Sequence, residues 1–294
     1  MKTMKNISKC LAAILLVVNL SSCVDLEPEP LSFFAPENTF MDKEGLEALL
    51  ITSRKQIKWE WFGDAFNAGY CETPLVYEYA WSDVSVMGAP EVKEIHNLET
   101  QLTPTTSMAL HLRYWDLAWN GIKYANTVIS RVPKSTIDNE TDKNELLAEG
   151  YFHRAYWYYL LVNQWGDVPL LLEEITEPKL DFYTVSRMKI LQQMKTDMEF
   201  AVKWLPKNVK PGCVNRAAGE HLLAKIYLST GDFQLAVDAT TRCINDYGLH
   251  LMKERFGVNA EDASLDVFND LFQEDNISSS ENKEAIFVVQ ERYG

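Results

Sequence analysis

Residues 215–249, NRAAGEHLLAKIYLSTGDFQLAVDATTRCINDYGL, place small and aromatic residues at offsets that few packing arrangements satisfy. Leu223-Ala224 supplies a small position, Tyr227 follows Ala224 by three, and Ala236 falls nine after Tyr227. Small residues let two helices approach closely, and aromatics fill the groove between them. The break between the helices is Thr230-Gly231-Asp232; Asp232 is expected to cap the second helix, which also carries Phe233, and Gly248 to end it.

These offsets are the packing code of a tetratricopeptide helix pair. The opening LLAEGY at 146–151 repeats that of LLAKIY at 222–227, but Leu160 stands where the second small residue belongs. One unit is therefore supported, and a regular array is not.

Helical periodicity continues elsewhere. A first helix is expected over Lys43–Trp61, with Leu46, Leu49, Leu50, Ile57 and Trp61 near one face. A second is expected in SMALHLRYWDLAWNGIKYANTVISRV, where Leu110, Tyr114, Leu117, Gly121, Ala125, Val128 and Val132 recur every three or four residues, and Pro133 closes it. After the polar link KSTIDNETDK, NELLAEGYFHRAYWYYLLVNQWGDVPL reads as a third, ending at Gly166 with Pro169 beyond. A fourth, capped near Thr184 or Ser186 and stopped by Pro206, puts Met194, Met198, Ala201 and Leu205 inward. The expectation is an all-α fold of tetratricopeptide-like helix pairs. Between Phe62 and Ser107 no period holds; loops this long are usually functional or disordered, and the aromatic content argues against disorder.

The N-terminus has a separate logic. Lys2, Lys5 and Lys9 precede the apolar run Leu11–Leu20, which is too short for a bilayer core of about 20 residues and has the form of an export signal. Residues 1–22 are read as that signal, 23–42 as a tether beginning at Cys23, and 43–294 as the folded domain. Leu20, Ser21 and Ser22 before Cys23 resemble the lipobox of bacterial lipoproteins, in which the new N-terminal cysteine is acylated. Acyl chains would attach the protein to a membrane without spanning it.

Charge excludes one class of partner. The chain holds 28 basic and 42 acidic residues, and removing residues 1–22 takes away three lysines. Nucleic-acid binding requires a basic face, which this balance opposes. Cys71, Cys213 and Cys243 form no CxxC and are odd in number, so no disulfide framework follows; Cys243 belongs to an apolar helical stripe.

Catalytic signatures are missing: there is no GxSxG, HExxH, Walker loop or GxGxxG. His96, His111, His153, His221 and His250 show no metal-ligand spacing, so solvated or core positions, with no metal or cofactor, are expected. A glycosidase pair is defined by carboxylate separation in space, which sequence does not give. The sequons at Asn139 and Asn276 carry no special meaning in a bacterial chain.

With Cys23, YWDLAWNGIKYANTVISRV, AEGYFHRAYWYYLLVNQWGDVPL, MKTDMEFAVKWLP, AAGEHLLAKIYLSTGDFQLAVDATTRCINDYGLHL and SSSENKEAIFVVQ in order, the chain resembles the SusD/RagB family of nutrient-binding lipoproteins of Bacteroidetes. The resemblance covers essentially all of residues 23–294, and RAYWYYLLVNQWGDVPL is its most specific part. It implies helix pairs anchored at the outer face of the outer membrane. It also implies a SusC-like TonB-dependent transporter as partner, packed on the tetratricopeptide face, and a glycan received on an opposite, irregular face. Family members commonly continue for about two hundred residues past EAIFVVQ, and an AIFVV strand is a poor terminus because it leaves an unpaired edge. The expectation is a truncated frame or fragment lacking part of the glycan site.

The implied mechanism is non-catalytic: aromatic faces stack on sugar C–H faces while polar groups fix the hydroxyls. Trp59, Trp61, Tyr70, Tyr77, Tyr79 and Trp81, with Asp83, are the local candidates, and Trp61 is assigned to the first helix's buried stripe. An sDd-like turn of the family falls at Ser82-Asp83-Val84, which makes Trp81 and Asp83 the leading pair, with Tyr79, Tyr77 and Tyr70 beside them. The cluster Tyr151, Phe152, Tyr156, Trp157, Tyr158 and Tyr159 is distributed around its helix and reads as packing. Arg154 within it is expected to be ion-paired or bonded to a loop. Rival readings are a tetratricopeptide scaffold that binds no glycan, a glycoside hydrolase, and peptide import.

Overall fold

The computed structural model describes residues 40–62, 84 and 109–290. The export signal, Cys23, the tether up to residue 39 and the candidates Tyr70, Tyr77, Tyr79, Trp81 and Asp83 lie outside the described residues.

Among the described residues six longer helices follow one another: α1 (Lys43–Phe62), α2 (Ala109–Arg131), α3 (Glu140–Gln164), α4 (Arg187–Trp204), α5 (Arg216–Thr230) and α6 (Phe233–Asn245). Each packs on its successor, which gives the all-α, tetratricopeptide-like succession expected from the periodicity. A short 3-10 turn, Val132–Lys134, contains Pro133 and closes α2. Between α3 and α4 a minimal antiparallel pair, β1 (Val168–Pro169) and β2 (Thr184–Val185), matches Val168 with Val185. Two short helices, α7 (Val267–Phe272) and α8 (Glu274–Ile277), follow α6.

The core follows the predicted stripes. Ile190, Leu191, Met194, Met198, Ala201 and Leu205 are fully buried along α4 and its exit, and Trp157, Tyr158 and Leu161 along α3. Phe152 and Trp157 confirm that the aromatic cluster of α3 is packing: Phe152 lies edge-on to Phe287, and Trp157 edge-on to Tyr156. Ala224, Tyr227, Ala236 and Ala239 are buried at the α5–α6 contact, as the tetratricopeptide code requires. Phe233 departs from that code and is 66% exposed, because it is the first residue of α6. Cys243 is buried and its thiol donates to the Ala217 carbonyl.

Several ends differ from expectation. α3 starts at Glu140, within the link read as polar, because Asn139 Oδ1 accepts from the Thr141 and Asp142 amides. The Ser186 side chain makes no cap bond on α4; Asp167 Oδ1, from the other side of the β-pair, accepts from Arg187 N at 2.8 Å. Asp232 likewise does not cap α6, since its carboxylate accepts from Lys195 Nζ and Thr230 Oγ1. Gly166, Gly231 and Gly248 do adopt left-handed φ at helix ends. The AIFVV segment forms no strand. Ile286, Phe287 and Val289 pack on the helical core, and Asn215 Nδ2 donates to the Ile286 carbonyl.

Candidate functional site

A cleft of about 620 Å³ opens between α2 and the segment linking β1 to β2. That size lies within the range of small-ligand sites. The α2 wall is Trp115, Trp119, Ile122, Lys123, Asn126 and Thr127; the opposite wall is Pro169, Leu171, Glu173, Glu174, Ile175 and Phe182.

The aromatic wall is held from behind. Trp115 and Trp119 are four residues apart on α2 and meet edge to face at 5.4 Å. Trp115 also meets Trp165 at 5.2 Å, and Trp119 meets Tyr158 at 6.0 Å, both in edge geometry. Edge-to-face pairs satisfy the ring quadrupoles, so the two indoles are fixed by the core and keep a half-buried surface toward the cleft.

The second wall is irregular backbone, and side chains of α2 and α3 bond it in place, with Asp197 of α4 holding Arg154 from behind. Asn126 Nδ2 donates to the Leu171 carbonyl at 3.0 Å. Arg154 donates through Nη1 to the Leu172 carbonyl at 2.8 Å and to Asn126 Oδ1 at 3.1 Å. Its Nε and Nη2 reach the two oxygens of Asp197 at 2.7 and 2.9 Å, a fork that satisfies a charge buried with its partner. The Leu171 amide donates to Tyr158 Oη at 2.6 Å. Burial pushes the Tyr158 phenol far above its ordinary range, the backbone bond opposing only part of this, so it stays protonated. Arg131 forks onto Glu174 at 2.9 and 2.7 Å, and Glu174 N donates to Ser130 Oγ. Arg154 thus has both roles expected for it, the ion pair and the loop contact.

Of the aromatics named from sequence, Trp59 and Trp61 are half-buried and pack against the main core. Val84, the described member of Ser82-Asp83-Val84, is exposed. His153 is fully buried, and His221 and His250 are exposed. Among the described residues no three His, Cys, Asp or Glu side chains converge on a metal position. No described helix is long and apolar enough to cross a membrane. Trp115 and Trp119 were absent from the sequence candidates. The available signal was their i, i+4 spacing just off the Tyr114–Leu117–Gly121 stripe, where a large aromatic is neither fully interior nor fully solvated.

Residues 71–228, more than half of the chain, match the SusD-like family described as starch-binding associating with outer membrane. The SusD-like protein P2 of Formosa agariphila is 27% identical over 238 residues, covering 79% of this chain and 45% of its own. A crystal structure determined with xylogluco-oligosaccharide shares the fold at TM-score 0.62 and 20% identity, over 83% of this chain and 46% of that one. A laminarin-binding SusD-like protein does so at TM-score 0.60 and 23% identity, over 71% and 46%. The chain therefore spans less than half the length of each of these relatives. The matched segment includes α2, α3, α4, most of α5 and both walls of the cleft: the chain belongs to the SusD-like family, described as starch-binding associating with outer membrane.

Proposed function

We propose that the chain is a surface lipoprotein that binds glycan without transforming it and delivers it to a SusC-like TonB-dependent outer-membrane transporter. Signal removal before Cys23 and acylation of that residue would hold it at the extracellular side of the outer membrane. The observation that carries the binding reading is the cleft: two fixed indoles and Phe182 on a rim of polar groups, in a family described as starch-binding. Aromatic faces there stack on pyranose C–H faces, and Lys123 and Glu173 serve the hydroxyls. Trp81, Asp83, Tyr79, Tyr77 and Tyr70 are proposed to add contacts from the preceding segment.

The test is binding of the chain to immobilised plant, host and microbial glycans, with Trp119→Ala and the double variant Trp81→Ala/Asp83→Ala alongside. Retained binding in folded Trp119→Ala would remove the cleft, and retained binding in the double variant would remove that pair. Release of new reducing ends from a bound glycan would replace the binder by a hydrolase. The scaffold reading draws on Leu228, Phe233, Leu235 and Val237, apolar side chains exposed on α5 and α6. It predicts that no glycan binds.

A further inference from the structure

The glycan reading leaves the chemical class of sugar open, and the charges around the cleft narrow it. Resting on that reading, we infer that the cleft takes uncharged glycans and discriminates against uronate- and sulfate-bearing ones. An anionic sugar in an apolar cleft must be met by a cation that is not already committed. Arg131, at the α2 end of the cleft, forks onto Glu174. Arg154, behind the pinned segment, is buried and forks onto Asp197. Lys179, on the loop continuing the second wall, pairs with Asp181 at 3.0 Å.

Among the described residues lining the cleft, Lys123 is the cation that no carboxylate pairs; exposed on α2 with its ammonium 5.6 Å from the Tyr124 ring, it shares the rim with the exposed carboxylate of Glu173. The exposed Glu177 extends the same edge. The local balance is therefore neutral to negative, and the whole chain carries a formal charge of −14, which repels polyanions at longer range. The stacking surface of Trp115, Trp119 and Phe182 requires no charge from its ligand.

The experiment compares affinity electrophoresis of the full chain in gels containing amylose, laminarin or xyloglucan with gels containing polygalacturonate or a sulfated galactan, at low and at high salt. Retardation by at least one neutral polymer is expected, with the anionic polymers at least tenfold weaker at low salt. The gap should narrow as salt shortens the screening length from about 10 Å at 0.1 M to about 3 Å at 1 M. Glu173→Lys, an exposed change that leaves the core untouched, is expected to strengthen the anionic polymers relative to the neutral one. Trp119→Ala, and Trp119→Phe should the smaller residue unfold the chain, is expected to weaken neutral binding. Anionic polymers bound as tightly as neutral ones, or neutral binding insensitive to Trp119, would overturn the inference while leaving glycan binding standing. No retention by any polymer, neutral or anionic, would overturn the glycan reading itself.

Discussion

At Gly121 a single missing carbon sets how closely α2 approaches α3. A β-carbon there would lie 2.0 Å from Trp157 Nε1 and 2.2 Å from its Cδ1, and Trp157 is fully buried with no room to retreat. Gly121→Ala should gain about 1 kcal/mol of helix propensity. It should lose more through overpacking, which costs about 1–3 kcal/mol when neighbours can shift and more when they cannot. The expected result is a melting temperature lower by several degrees in a thermal circular-dichroism scan. Trp157→Phe, harmful alone, should be less than additive with it, because the two changes share one contact; strict additivity would show that the clash is not the cause. The glycine was visible in sequence as a small residue on an apolar stripe. Its opposing ring was not, since helical spacing identifies a face and not the residue across from it. Arg154 is similar: burial demanded a partner, but Asp197 is one of 42 acids, and only the α3–α4 contact selects it.

Between elements, a forked polar tie outside the cleft joins α1 to α3. Arg54 forks onto Glu149 at 2.6 and 2.7 Å, and His153 Nε2 lies 3.5 Å from the same carboxylate. Burial alone would raise the Glu149 pKa. His153 and Arg54 outweigh it and hold the carboxyl below its ordinary value of 4.5. A depressed folded pKa means that the stabilisation is complete above about pH 4.5 and is lost as pH falls through the folded value. Glu149→Gln is therefore expected to cost about 3 kcal/mol near neutrality, the scale for breaking a buried pair from one side. The wild-type advantage should shrink below pH 4.5. Urea unfolding at pH 7 and at successively lower pH measures the difference, and an advantage that does not change with pH would rule out ionisation of Glu149 as its source. The helices themselves were legible because periodicity and Gly or Pro stops are local signals. Their caps were less so: Asp167 caps α4 from twenty residues upstream, across the β-pair, and Asn139 sat inside a stretch whose polarity concealed a helix start. The cleft was least legible, since one of its walls is aperiodic backbone positioned by side chains of α2 and α3.

At the largest scale, the buried apolar residues among those described form two bodies of unequal size. The larger joins α2 to α6 with the later part of α1 through Ile57, and includes Trp157, Met194, Met198, Leu223 and Ala239. The smaller consists of Leu46, Leu49 and Leu50 on α1 with Val128, Val132, Ile137 and Leu146, where α2 ends and α3 begins. Hydrophobic stabilisation scales with buried apolar area, so the smaller body should open at lower free energy than global unfolding. Arg54 and Ile57 bind the later half of α1 to the large core and should limit how far that opening spreads. The small body shares Val128 and Val132 with the end of α2, just beyond the cleft residues Asn126 and Thr127, so its opening is expected to stop short of Trp115 and Trp119. Native-state hydrogen exchange is expected to show amides of Leu49–Thr52 exchanging faster than those of Met194–Ala201 in α4 and Leu223–Tyr227 in α5. Leu50→Ala should widen that gap by lowering protection in α1 without a matching loss in α4. Equal protection in all three helices, falling together in Leu50→Ala, would mean that the two bodies unfold as one.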